Sequence, residues 1–230
     1  MLQRFSYSVS DVFPLARHVS GLLLEAPVAS PVMSYQAGQY IKVIHPDGSE
    51  SPLSIAALPA NLQRIELHLS HAPGNHSAQE ILAMVKTERA LTFTGAYGVC
   101  TVLRFAVDKP LIFFVRGTGF APVKAMLEAM ALCHDRRALH LYWGVATPDD
   151  FYLLDLIHGW EKHFANFRFT PKVSRSADQH QLHHAVLHDY PDLSHVDVYA
   201  SGGMEMVVSA LEVFQRHGLE RERFYSDVLS

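Results

Sequence analysis

Apolar and polar positions alternate in short runs along the first hundred residues. Phe5 to Val12, Ala16 to Glu25, Tyr40 to Ile44, Arg64 to Ser70 and Ala90 to Phe93 carry alternating or β-branched residues between proline and glycine turns, which predicts strands. Short, evenly spaced strands predict a barrel or a sandwich. One helical stretch interrupts them. Ser77 reads as its N-cap, Glu80 completes a capping box, and Ile81, Leu82 and Val85 form its apolar face, so the helix is predicted to begin at Ser77.

After Asp108 the pattern changes. The runs PLIFFV, LHLYWGV, FRFTPKV and VDVYAS are close to continuously apolar, and between and after them lie helical stretches at Ala121 to Leu132, Asp149 to Phe164 and Met204 to His217. Strands of this kind, separated by helices, predict a parallel sheet covered on both faces. The change of texture falls in RFAVDKP, which predicts two domains, residues 1–106 and 107–230.

Composition narrows the function classes. The chain has 230 residues, 49% hydrophobic and 18% charged, with a formal net charge of -4, so no broad basic surface points to nucleic acid or an anionic membrane. Cys100 and Cys133 lie far apart and form no CxxC cluster, which excludes a four-thiolate iron-sulfur site within these residues. The opening MLQRFSYSVSDVF alternates where a signal peptide needs a continuous apolar stretch, and no segment approaches the roughly 20 apolar residues of a membrane span. The expectation is a cytoplasmic protein with free thiols that binds small ligands.

The strongest local signal is RGTGFAP, Arg116 to Pro122, directly after an apolar strand and before a helix, with Pro122 near the first helical position. Backbone amides at such a helix start attract phosphate, and Gly117 and Gly119 beside Thr118 let the main chain approach it without a Cβ in the way. A second glycine turn, Ser201-Gly202-Gly203-Met204, follows the strand VDVYA and is predicted to reach the same sheet edge. In the first domain Pro52, Leu53 and Ser54 of SPLSIA, and Gly74 to Ser77 of PGNHS, read by themselves as turns rich in hydroxyls. Taken together they offer an anion site at a helix start beside a strand whose Ser54 can donate a hydrogen bond. His180, His183 and His184 have metal-compatible spacing, but no cysteine or acidic motif joins them, and no metal is expected.

The order of these blocks resembles the ferredoxin-NADP reductase superfamily, and most closely its stand-alone NAD(P)H:flavin reductases. AGQYIKV, SPLSIA, IELHLS with PGNHSAQEIL, GAYG, RGTGFAP, LYWGV, VYASGGMEMV and FYSDVL follow one another in that superfamily's order over nearly the whole chain. The resemblance implies a two-domain β plus α/β fold: an N-terminal antiparallel six-stranded β-barrel for flavin, then a C-terminal parallel-sheet, Rossmann-like domain for the nicotinamide dinucleotide. It further implies that Ser54 faces flavin N5, that Pro52 and Leu53 line the flavin, and that Gly74 and Ser77 lie near a flavin phosphate. Gly117, Thr118, Gly119 and Pro122 would hold the dinucleotide, Ser201, Gly202 and Met204 would flank the nicotinamide, and hydride would pass from nicotinamide to flavin across the cleft. Ser54 and Ser201 are thus the catalytic candidates.

The departures from the superfamily's pattern are informative. Ser51 stands where an arginine usually opens the flavin motif, Leu53 replaces an aromatic residue, Arg116 replaces the first glycine of the dinucleotide loop, and Ser201 stands where many members keep a cysteine. A charged hydrogen bond to phosphate is worth on the order of 1.5 to 3 kcal/mol, so losing the arginine implies roughly ten- to a hundredfold weaker flavin binding. Ser174 and Arg175 resemble a pair that some members place on the 2′-phosphate of NADPH, although relatives that use NADH carry similar pairs, so NADH and NADPH both stay open.

The expected activity is therefore that of an NAD(P)H:flavin oxidoreductase, with NADH or NADPH as donor and free FMN, FAD or riboflavin as a loosely bound acceptor. One alternative is a reductase with bound FAD or FMN that serves a separate electron-acceptor protein, ferredoxin-like or an oxygenase. Another is a non-catalytic nucleotide-binding regulatory module.

Overall fold

The structure is a computed structural model and describes residues 3–28, 31–60, 62–174 and 180–229. It resolves into two compact units, Met1–Val102 with Ala121–Ala129, and Leu103–Phe120 with Met130–Ser230.

The first unit is built on β1 (Arg4–Ala16), β2 (Val19–Glu25), β3 (Tyr40–Ile44), β4 (Glu50–Ser54), β5 (Arg64–Ser70) and β6 (Ala90–Tyr97), with helix α1 (His76–Glu88) between the last two. All neighbours pair antiparallel in the order β4-β3-β6-β1-β2-β5, and the bridge between Ile55 and Leu67 joins the two ends, so the sheet closes as the predicted six-stranded barrel. Alternation does the sorting. Phe5, Tyr7 and Val9 of β1 point inward with Leu22, Leu24, Ile41, Val43 and Phe93, while the residues between them on β1 face solvent. β4 gave no strand signal because ESPLS carries a proline and three polar residues; it pairs only at the sheet's end, where the missing N–H of Pro52 costs no central ladder bond.

Helix α1 starts one residue earlier than the sequence predicts. Asn75, not Ser77, is the N-cap: its side chain accepts from Ala78 N at 3.2 Å, and its Nδ2 donates to Ser70 O at 2.7 Å. Both residues of the supposed capping box, Ser77 and Glu80, turn instead toward His45. The helix buries Ala78, Ile81, Met84 and Val85.

The second unit is an all-parallel sheet of β7 (Leu111–Arg116), β8 (Leu139–Val145), β9 (Phe167–Val173), β10 (Asp197–Ser201) and β11 (Phe224–Ser226), in the order β11-β10-β7-β8-β9. Along the chain between the strands run α2 (Phe120–Leu132), of which Ala121–Ala129 groups with the first unit, and α3 (Leu154–His163), α4 (His180–Asp189) and α5 (Met204–Gln215). All seven residues of β8 are buried, as expected of a strand covered on both faces. The strand order places β7 and β10 side by side, and their carboxyl ends carry the two glycine turns.

The helix predicted from Asp149 begins only at Leu154. Asp150 Oδ2 accepts from both the backbone N and the hydroxyl of Thr147 at 2.8 Å and closes a single 3-10 turn, Pro148–Asp150. Phe151 and Tyr152 then place their rings edge-on to Trp143, 5.2 and 5.0 Å between centroids.

Candidate functional site

In the second unit the loop RGTGFAP is a strand end, one 3-10 turn at Gly117–Gly119, and then α2. Gly117 has φ +54° with open space where a Cβ would stand, a conformation that favours glycine. Its carbonyl is fixed from behind, accepting from Trp143 Nε1 at 3.0 Å, while the Trp143 ring stacks on Phe120 at 4.3 Å. Gly119 is tied to the second turn: a Cβ there would sit 2.2 Å from Ser201 O. Gly202 in turn lies against Arg116, where an added Cβ would come within 3.3 Å of the Arg116 Cβ. The structure thus brings Gly117, Thr118, Gly119, Ser201 and Gly202 together at one sheet edge. Pro122 is the third residue of α2 and is buried.

Ser201 is 3% exposed, and its hydroxyl donates to Asp227 Oδ2 at 3.2 Å. Asp227 follows β11, the strand beside β10, so the parallel register delivers a carboxylate to the end of VDVYAS. Met204 is the first residue of α5 and is exposed, and Gly203 caps that helix without a side-chain bond to its amides. Amides with no side-chain cap at the mouth of two glycine turns suit an anionic, polar ligand, so a nicotinamide dinucleotide fits the residues present. Ser174 lies just past β9, and its carbonyl accepts from Arg116 Nη2 at 3.5 Å. Arg175 and the side chain of His180 lie outside the described residues. His183 is buried against the rings of Phe114 and Phe214, which makes it a core side chain.

In the first unit, pairing sets Tyr40 opposite Ser54, Ile41 opposite Leu53, Lys42 opposite Pro52 and Val43 opposite Ser51. Pro52 is exposed, and Leu53 and Ser54 are half-buried. Gly74 has φ +90° and open space around it. Between this turn and β4 lies a cluster that sequence inspection missed. His45, 4% exposed, places Nε2 2.7 Å from Ser51 Oγ and 3.4 Å from Ser77 Oγ, and Nδ1 2.8 Å from Glu80 Oε2; the Ser51 and Ser77 hydroxyls contact each other directly. Tyrosine, leucine and hydroxyl side chains along β3 and β4 beside an open glycine turn fit a flat aromatic ligand with a polar tail, as a flavin is.

A second buried polar group stabilises the segment after Ser54. Lys124 Nζ donates to Ala56 O at 2.9 Å and to Glu66 at 3.0 Å, and lies 3.0 Å from Glu128; His68 Nε2 meets the other oxygen of Glu66 at 2.8 Å. Burial pushes the Glu66 carboxyl up, but the His68 hydrogen bond and the Lys124 charge outweigh it and hold the group below its usual range. Burial lowers the His68 imidazole despite Glu66. The anchored Ala56 carbonyl is two residues from Ser54.

A closed antiparallel barrel and a parallel sheet whose carboxyl edge carries two facing glycine turns define a two-part β plus α/β fold with a phosphate-suited edge in its second unit. Residues 115–211 match the oxidoreductase NAD-binding domain family. The chain is 34% identical to a CDP-6-deoxy-L-threo-D-glycero-4-hexulose-3-dehydrase reductase of Yersinia pestis over 93% of this chain and 65% of that protein. It is 30% identical to the terephthalate 1,2-dioxygenase reductase component 1 of Comamonas sp over 99% of this chain and 69% of that protein. An NAD(P)H-flavin reductase of Vibrio harveyi is 28% identical over 95% of both chains. Among solved structures, a cytochrome P450 reductase of Amycolatopsis superposes with a TM-score of 0.79 at 21% identity, over 98% of this chain and 69% of that one. The chain belongs to the ferredoxin-NADP reductase superfamily. It spans 65% of the length of the Yersinia protein.

Among the described residues, no helix is long and apolar enough to cross a membrane.

Proposed function

We propose that this protein oxidises NADH or NADPH and reduces a flavin that enters and leaves as a substrate. The observation that carries the reading is Ser51. At the head of the strand that leads to Ser54 it offers a hydroxyl engaged with His45 and Ser77, where a permanent cation would hold a phosphate tightly. The end-to-end likeness to the Vibrio harveyi NAD(P)H-flavin reductase supports the same reading.

The bound flavin supplies the redox chemistry by accepting the two electrons of the nicotinamide. The chain's own residues bind and orient. The Ser54 hydroxyl, set on β4 and stiffened through Ala56 by Lys124, is assigned to hydrogen-bond the flavin ring; Pro52 and Leu53 line it; Gly74 and Ser77 receive its polar tail. Gly117, Thr118 and Gly119, with Pro122 opening the helix, hold the dinucleotide. Ser201, oriented by Asp227, sits with Gly202 and Met204 beside the nicotinamide. Ser174 and Arg175 are assigned to the adenosine end. Such positioning converts an encounter of two ligands into a step within one complex.

A second reading is a reductase that keeps its flavin and passes electrons to a partner protein. The relatives from Yersinia and Comamonas support it, being named as the reductases of a dehydrase and of a dioxygenase. The visible spectrum of the purified protein separates the two. A colourless protein whose NAD(P)H oxidation requires added flavin supports the exchange reading, and a yellow one supports the second. Absence of nucleotide oxidation with every flavin would refute both.

A further inference from the structure

Arg116 opens the loop RGTGFAP and yet has no part in the reading above. Register sets it opposite Gly144 on β8, and Gly144 opposite Lys172 on β9. Residues paired in this way share a face of the sheet, so a guanidinium and an ammonium group flank one glycine near the carboxyl edge, and Gly144 puts no side chain between them. Both cationic residues are half-buried. On the side of β10 the turn at Gly202 lies against the Arg116 Cβ, and the guanidinium runs the other way, toward β9, where Nη2 donates to Ser174 O at 3.5 Å.

Neither charge is neutralised by the surrounding chain. Among the described residues Arg116 and Lys172 make no ion pair, and the guanidinium uses one of its five N–H groups, in a long bond to a neutral carbonyl. Partial burial of a charge without a counter-charge is unfavourable, and an anion held between the two relieves it. Arginine presents a planar fork that matches phosphate oxygens, and lysine adds a compact second charge.

The amides at the start of α2 already suit a pyrophosphate, which NADH and NADPH share. The cation pair brackets β8 and reaches Ser174, the residue given above to the adenosine end. The charged group that one nucleotide carries there and the other lacks is the 2′-phosphate. Given the dinucleotide reading above, on which this rests, we propose that Arg116 and Lys172 together bind the 2′-phosphate of NADPH and make the protein select NADPH over NADH. The arginine that departs from the superfamily's glycine is then a specificity-determining residue.

The test is a calorimetric titration of the purified protein with NADP+ and with NAD+, oxidised nucleotides chosen because no hydride moves. The natural protein is expected to bind NADP+ about ten- to a hundredfold more tightly than NAD+, the range of a charged hydrogen bond to phosphate. Arg116→Gln and Lys172→Gln, which keep a polar side chain without the charge, should each lower that ratio about tenfold. Lys172 lies on β9, an end strand of the sheet, so Lys172→Gln serves if Arg116→Gln does not fold. Equal affinity for the two nucleotides, or a preference for NAD+, overturns the proposal. So do variants that weaken NADP+ and NAD+ alike, which places the cations on the shared pyrophosphate. Failure of both nucleotides to bind refutes the dinucleotide reading itself.

Discussion

Gly119 shows how one atom decides the dinucleotide loop. A methyl group at this position would stand 2.2 Å from the Ser201 carbonyl oxygen, and both neighbours are backbone, so neither yields without moving a strand end. Gly119→Ala is therefore expected to weaken NADH and NADPH binding at least tenfold while leaving any riboflavin binding by the first unit unchanged; equilibrium titration with each ligand checks this. Ser54 makes the converse case. Its proposed contact is with the reacting flavin, so Ser54→Ala should lower the rate of flavin reduction under single-turnover conditions more than it changes nucleotide affinity. A rate equal to that of the natural protein removes Ser54 from the mechanism.

At the scale of elements, the two glycine turns depend on what lies beneath them. Trp143, on the fully buried β8, donates to the Gly117 carbonyl at 3.0 Å, and Trp143→Phe keeps the stacked ring but removes that bond, leaving the carbonyl to the Phe120 N–H alone. Loss of one such hydrogen bond costs about 0.5–1.5 kcal/mol, which denaturant unfolding would register, together with weaker nucleotide binding. The period of the hydrophobic pattern made the long elements legible: β5 and the core of α2 stand where alternation and the helical period put them, since burial on one face or on all sides leaves a clear imprint. The loop RGTGFAP was legible because glycine and proline mark a strand-to-helix turn by themselves. β4 was obscured by Pro52 and its polar neighbours, which an end strand tolerates. The start of α1 was displaced because Ser77 and Glu80, a sound capping pair by spacing, have a better partner in His45. That partner is distant in sequence and follows β3 with no local motif. Likewise the bond from Ser201 to Asp227 joins residues 26 positions apart, through strand register alone.

At the scale of the whole molecule, acidity is the expected weakness. Burial, reinforced by the Arg168 charge, pushes His140 down to about 4, and its ring is held between Tyr190 and Thr170. Burial also lowers His68. In the unfolded chain these imidazoles take up protons near pH 6.5, whereas the folded protein resists, so the unfolded state binds more protons below that value and stability falls as pH drops from about 6.5 toward 4. The depressed carboxyls of Glu66 and Asp189 extend the loss further downward, because their contribution is present above the ordinary carboxylate range and disappears as they are protonated. His140 alone accounts for a loss on the order of 2–3 kcal/mol when fully expressed. Thermal unfolding followed between about pH 7.5 and 4.5 should show a falling midpoint, and His140→Gln should make the fall shallower. A midpoint that is flat across that range contradicts this account.

The central claim is that flavin is a substrate here rather than a fixture. It is tested most directly by following NADH and NADPH oxidation by the purified, flavin-free protein while riboflavin, FMN or FAD is added in increasing amounts. The account predicts no turnover without flavin and a rate that rises to saturation with flavin concentration, each flavin leaving reduced. Turnover that proceeds at full rate with no added flavin, or none at saturating flavin with either nucleotide, would contradict it.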